Sequence, residues 1–247
     1  MNGEPDTMLA PVLRNLRAAV FDTDGVITDS ARAHAAAWKT ASDAYLAEHP
    51  PPAPGQRRPF DVRDDYRLHV DGRSRLDGAA AFLASRGLHP PPETVRTVAE
   101  AKERLFAARL RERGMDAYPG TVRLVRALRR AGVRCAAVSA SRHARELLAR
   151  AAVLDLFDVL VDGVEAARLG LPGKPRPDLF LEAARRLGAP AGRTAVVEDA
   201  VAGVEAGRDG GFALVVGVAR DPGPDAGQRL LRHGADIVVR DLAELLV

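Results

Sequence analysis

The chain predicts an α/β protein built on a doubly wound, Rossmann-like parallel sheet with a helical body inserted into it. From Tyr118 onward, short β-branched apolar runs alternate with helical segments, the pattern of a parallel sheet covered on both faces. Ahead of that region stands one apolar strand followed by a long stretch with no convincing strand. At 247 residues the chain exceeds the usual single domain and is short for two equal ones, which suits a core with a smaller insertion. The expected division is 1–31 with 116–247 for the core and 32–115 for the helical insertion.

Each element has its own warrant. Ala18-Ala19-Val20-Phe21 reads as the first core strand. From Ser30 through Asp43 the pattern is helical, with His34 and Trp38 four apart on one face. The stretch Pro50-Pro51-Pro52-Ala53-Pro54-Gly55 stops any regular element. Helices are expected at Gly78 to Ser85 and Pro92 to Arg113. Then follow helix Thr121 to Ala131, strand Val133 to Ser139, helix His143 to Ala151, strand Val159 to Val161 and helix Pro177 to Leu187. Strand Thr194 to Val197, a short helix Val201 to Ala206, strand Phe212 to Val216 and strand Ile237 to Val239 complete the series.

Composition narrows the function classes. The net charge is only +3 with both signs interspersed, which argues against a nucleic-acid footprint. No apolar run approaches the about 20 residues of a membrane span, and Met1 to Thr7 lack the order of a signal peptide, so a cytoplasmic protein is expected, without membrane association. A monomer is also expected. The single cysteine, Cys135, lies in an apolar run and reads as buried filler. Of 36 basic residues only Lys39, Lys102 and Lys174 are lysine, so a lysine that persists marks a position suited to a compact ammonium. Arg129-Arg130 and the arginines of 142–150 read as solvated faces, and Trp38 as a hydrophobic anchor.

Four motifs carry chemistry. Phe21-Asp22-Thr23-Asp24-Gly25-Val26-Ile27-Thr28-Asp29 puts two carboxylates just beyond the first strand, where one can attack a phosphorus and the other can manage a proton. Val138-Ser139-Ala140-Ser141 places hydroxyls at the exit of the second strand, before a helix. Gly173-Lys174-Pro175 sets a point charge where it can neutralise a phosphoryl oxygen and an aspartate together. Val197-Glu198-Asp199 ends a further strand in two carboxylates, hard oxygen donors that suit Mg²⁺ beside a phosphate. Parallel strands deliver their carboxyl ends to one edge, so all four converge.

In this order the motifs resemble the haloacid dehalogenase superfamily, and its β-phosphoglucomutase branch in particular, over Ala18 to Leu242. The resemblance implies that Asp22 is a nucleophile forming an aspartyl phosphate and Asp24 the general acid and base. It also implies a Mg²⁺ ion held by the Asp22 carboxylate, the main-chain carbonyl of Asp24 and Asp199, with Glu198 beside it. Ser139, Ala140 and Lys174 would bind the transferring phosphate together with the amides of Thr23 and Asp24. The insertion would be a cap that closes over the site. Within it, Val70-Asp71-Gly72-Arg73-Ser74-Arg75 matches the segment whose arginine grips a distal phosphate, with Arg75 aligned best and Arg73 in reserve. Lys102 falls where the branch keeps a cap lysine and His34 where it keeps a hinge histidine.

The implied activity is interconversion of β-D-glucose 1-phosphate and glucose 6-phosphate through an enzyme-bound bisphosphate, with a small sugar phosphate as the partner. A Mg²⁺-dependent sugar-phosphate phosphatase with the same core residues is the nearest alternative. A phospho-acceptor signalling module, the third reading, leaves the helical insertion unexplained.

Overall fold

The computed structural model describes residues 8–247 except 114, 221, 222 and 224. Among the described residues one sheet of six parallel strands runs β3-β2-β1-β4-β5-β6, formed by β1 (Ala18–Asp22), β2 (Arg134–Val138), β3 (Val159–Val161), β4 (Thr194–Glu198), β5 (Leu214–Val218) and β6 (Ile237–Val239). Strand order reverses between β1 and β4, the topological switch point at which such sheets open a crevice beyond their carboxyl ends. In register, Asp22 lies opposite Val138 and Phe21 opposite Val197, so the residues that follow β1, β2 and β4 emerge side by side.

Alternate residues of the strands feed opposite faces. Ala19, Phe21, Cys135, Ala137, Ala195 and Val197 pack with Leu124 and Leu128 of α4 (Pro119–Arg130) and with Leu147 and Leu148 of α5 (Ala144–Arg150). Ala18, Val20, Ala136, Val138 and Val196 pack on the other face with Leu179, Phe180, Ala183 and Leu187 of α7 (Asp178–Leu187). Two-sided burial explains why β1 and β4 read as unbroken apolar runs. Cys135 is fully buried, and burial with nearby Asp158 pushes its thiol up to about 12, so it is inert.

Among the described residues, the stretch between β1 and α4 holds the α-helices α1 (Ala31–Glu48), α2 (Arg75–Ser85) and α3 (Pro92–Arg113). Trp38, Leu46, Phe60, Val70, Phe82, Leu83 and Val98 form an apolar cluster of their own, and Trp38 is the buried anchor the sequence suggests. The far end of α3 leaves this cluster, and its Phe106 and Leu110 join the core of the sheet. A buried ionic knot stiffens the segment leading to α2. Asp65 accepts from Arg86 at 2.5 Å, from Arg58 at 2.9 Å and from the Asp61 amide at 2.8 Å.

Several boundaries differ from the expected ones. Helix α2 starts three residues early because the Ser74 hydroxyl accepts the Asp77 amide as an N-cap. Helix α4 starts at Pro119, a residue suited to the first turn. β5 runs Leu214–Val218 rather than Phe212 to Val216, because Phe212 packs edge-on against Phe180 and the Ala213 amide bonds to Ala191 and Thr194 before pairing begins. Helix α6 (Gly163–Leu169) was not expected. Its signal is Asp162, whose carboxylate caps the Val164 and Glu165 amides. Helix α8 runs Val201–Asp209, beyond the expected end at Ala206, and α9 (Ala226–Arg232) is a further unexpected helix.

Candidate active site

The residues beyond β1, β2 and β4 and the Lys174 loop before α7 meet around the Asp22 carboxylate. Lys174 is buried and donates to Asp22 Oδ1 and, at 2.7 Å, to Glu198 Oε1. Asp22 Oδ2 accepts the Asp24 amide at 2.9 Å. Glu198 Oε2 accepts the amides of Asp199 and Ala200 at 2.6 and 3.0 Å. Glu198 is thus committed to the lysine and the turn, and it holds the ammonium against Asp22.

Burial raises the pKa of Asp22 well above the usual carboxylate range; Glu198 and Asp24 add to the shift and Lys174 opposes it. Lys174 is pushed in the other direction: burial alone would lower it, but Asp22 and Glu198 together hold it well above an ordinary lysine. The ammonium is therefore a permanent charge at the attacking carboxylate.

Asp24 sits in a different environment. Ser30 Oγ donates to its Oδ1, His34 Nε2 lies 3.2 Å from the same oxygen and Ser139 Oγ donates to Oδ2 at 3.3 Å. Burial would raise this carboxyl, yet His34, Ser30 and Lys102 outweigh it and hold it far below the usual range. Lys102 Nζ lies 2.8 Å from His34 Nδ1. An ammonium can only donate, so Nδ1 accepts and the neutral ring keeps its proton on Nε2, directed at Asp24. Burial and the Lys102 charge depress His34, in agreement with a neutral ring. His34 also stacks on Phe106 with ring centroids 3.8 Å apart.

Thr23 faces away from this chemistry, its hydroxyl donating to the Val138 carbonyl at 3.0 Å. Such a bond ties β1 to β2 and leaves only the Thr23 backbone for a ligand. The Ser139 hydroxyl accepts the Ser141 amide at 3.0 Å, which orders the turn after β2.

A small cavity of about 50 Å³ joins the two halves. It is lined by Asp22, Asp24, Ala140 and Asp199 from the sheet edge and by His34, Arg73, Arg75 and Lys102 from the helical stretch. Among the described residues neither the Arg73 nor the Arg75 guanidinium has a hydrogen-bond or ion-pair partner, so both are available to an anion. A larger cleft of about 450 Å³ adjoins the small cavity, sharing Tyr66, Asp71 and Asp199. Tyr66 and Asp71 escaped the sequence reading. Their signal is the unusual turn Tyr66–Val70, a π-helix, which is a frequent feature of functional sites.

A divalent cation fits here. Ligand oxygens of Asp22, Glu198 and Asp199 lie within 4.8 Å of one another. Asp199 is raised well above the usual range by burial, by Asp71 and by the other carboxylates, the situation that a cation relieves. The backbone leaves room for it. Gly25, at φ +85°, passes so close that a Cβ there would sit 1.9 Å from Asp199 Oδ2.

Comparison with known proteins agrees with this geometry. The haloacid dehalogenase-like hydrolase model matches residues 16–211. A β-phosphoglucomutase of Mycobacterium bovis is 42% identical over 240 residues, 94% of this chain and 92% of that protein. A phosphorylated carbohydrates phosphatase of Thermotoga maritima is 26% identical over 229 residues, 91% of this chain and 94% of that protein. Among solved structures, a β-phosphoglucomutase of Clostridium difficile superposes with a TM-score of 0.74 at 24% identity over 93% of each chain, a likeness of fold. The chain therefore belongs to the haloacid dehalogenase superfamily, in its β-phosphoglucomutase-like branch, and is an enzyme of the mutase or phosphatase type.

Proposed function

We propose that the protein is a Mg²⁺-dependent phosphosugar mutase that interconverts β-D-glucose 1-phosphate and glucose 6-phosphate through a bisphosphate. The observation that carries this reading is one cavity lined by Asp22, with Lys174 against it to handle a reacting phosphoryl group, and by Arg75, Arg73 and Lys102 as a second anion clamp. Hydrolysis alone needs no such clamp. The relative from M. bovis supports the mutase and the relative from T. maritima the phosphatase. The domain division at 31/32 and 115/116, with the inserted helices as a cap, belongs to the same proposal. It has support from the separate apolar cluster around Trp38 and Phe82.

In the forward half-reaction a sugar hydroxyl attacks the phosphorus of phospho-Asp22, its proton passes to Asp24, and the phosphorus–Asp22 bond breaks to release the carboxylate. The depressed carboxyl of Asp24 suits this base role in the resting enzyme. In the return half-reaction Asp22 attacks the other phosphate and Asp24 gives the proton to the leaving oxygen. The Lys174 ammonium remains against the phosphoryl oxygens throughout. Asp22, Asp199 and the Asp24 carbonyl would hold Mg²⁺, which supplies charge neutralisation of the transferring group. Closure of the cap over the sugar would have to shut out water to protect phospho-Asp22 from hydrolysis, and the cap has to part to admit the sugar.

A coupled assay with both anomers of glucose 1-phosphate, a trace of bisphosphate and Mg²⁺ tests the proposal. Isomerisation of the β anomer is expected to exceed phosphate release and to vanish in excess chelator. Faster phosphate release than isomerisation would make the protein a phosphatase.

A further inference from the structure

Among the polar side chains lining the cavity, Tyr66 and Asp71 have no role in phosphoryl transfer. Both come from one π-helical turn, in which the Asp71 amide donates to the Tyr66 carbonyl at 2.9 Å. The next residue presses this turn onto the sheet edge: Gly72 has φ +70°, and a Cβ there would lie 3.1 Å from Ala200 Cβ. Asp71 is therefore held beside Asp199, whose pKa it raises more than the adjacent Glu198 does.

For folding, this placement is unfavourable. Asp71 shares the cavity with Asp22, Asp24 and Asp199. Among the described residues its carboxylate has no hydrogen-bond or ion-pair partner. The Tyr66 phenol faces the same carboxylates, and no donor or acceptor among the described residues engages it. A half-buried carboxylate amid like charges is a mark of a ligand-directed group.

The chemistry of the ligand follows. Asp71 brings no positive charge to a phosphate, and Lys174, Arg75 and Lys102 already stand ready for both phosphates. It has to face the neutral part of the substrate, and there only hydroxyl groups can donate to it. Resting on the phosphosugar reading, we infer that Asp71 and Tyr66 read ring hydroxyls of the sugar, Asp71 accepting from them and Tyr66 completing the contact. They would then be specificity-determining residues that separate polyhydroxylated phosphate esters from other phosphate donors. Buried polar groups that lose their partner make such a site reject an analogue lacking the hydroxyl.

The experiment compares glucose 6-phosphate with acetyl phosphate, which has no hydroxyl, on the full-length protein with Mg²⁺. For wild type, kcat/KM should favour the sugar ester. In Asp71→Ala, kcat/KM for the sugar ester should fall roughly 10- to 100-fold, mostly through KM, the range for a lost hydrogen bond to a charged group. At saturating Mg²⁺, which offsets any change in cation affinity from the charge lost beside Asp199, turnover of acetyl phosphate should fall by no more than about twofold. Asp71→Asn, which keeps the shape and one accepting oxygen, should fall between, and Tyr66→Phe should weaken the sugar ester alone. Equal losses on both substrates at saturating Mg²⁺, or no loss on either, would overturn the inference. A wild-type protein with no preference for the sugar ester would overturn the phosphosugar reading itself, a pattern visible before any variant is made.

Discussion

Asp22 and Asp24 are two residues apart and chemically opposite. One carboxylate is crowded by Glu198 and burial and raised; the other is surrounded by Ser30, His34 and Lys102 and lowered. Divided environments of this kind let one site hold a nucleophile and a proton carrier. Asp22→Asn removes the attacking oxygen, and we expect loss of both isomerisation and hydrolysis to background in steady-state assays, with circular dichroism unchanged. Gly25→Ala tests the cation pocket. The new methyl would overlap Asp199 Oδ2 and the backbone would be strained at φ +85°, so titration of activity with Mg²⁺ should show at least a tenfold weaker half-saturation, the scale at which one lost ionic contact acts. The four motifs were legible in the sequence because strand ends of a parallel sheet share an edge. Asp71 and Tyr66 were not, because nothing in Asp65-Tyr66-Arg67-Leu68-His69-Val70-Asp71 announces a π turn.

At the scale of elements, the turn that carries Tyr66 and Asp71 depends on a buried knot next to it. Asp65 is fully buried and bonded to Arg86, Arg58 and the Asp61 amide, and Arg86 is itself 1% exposed. Removing Arg86 leaves buried Asp65 with only the half-exposed Arg58 and the Asp61 amide, so Arg86→Met should cost about 2 to 3 kcal/mol, read from urea denaturation. Replacing both Asp65 and Arg86 by apolar residues of similar volume should recover part of that loss, the outcome a double-mutant cycle would record. Composition hid this pair among so many arginines that any one of them reads as a solvated face. Helix α6 was missed for a related reason: its start is written in a single cap, Asp162, rather than in a periodic apolar pattern.

The whole molecule links its two halves through Lys102. It reaches from α3 to His34 at the start of α1, which bonds Asp24 on the sheet edge, and its ammonium lies over the rings of Trp38 and Phe106. Burial lowers its pKa from 10.5 to about 8, against the pull of Glu103 and Asp24. Above pH about 8 the folded protein loses this proton while the unfolded chain keeps it to about 10.5. Over that window the unfolded state binds more protons, so this group's contribution to stability rises with pH. Catalysis should move the other way, since the cavity loses a cation. We expect kcat/KM to fall above pH 8, and the fall to be absent in Lys102→Arg, whose guanidinium stays charged. The stability of wild type relative to Lys102→Met should rise over the same range in thermal melts.

What the amino-acid order determined by itself was local and periodic: apolar runs that make strands, caps and prolines that start helices, and carboxylates placed after strands. Those follow from short-range sterics and burial, and they were enough for the sheet, the helical insertion and the four converging motifs. Tertiary structure alone decided which groups share a proton or a charge. The neutral state of His34, the raised Asp22 and the exposed duty of Asp71 arise from residues far apart in the chain, meeting in a buried space where each charge is felt by the next.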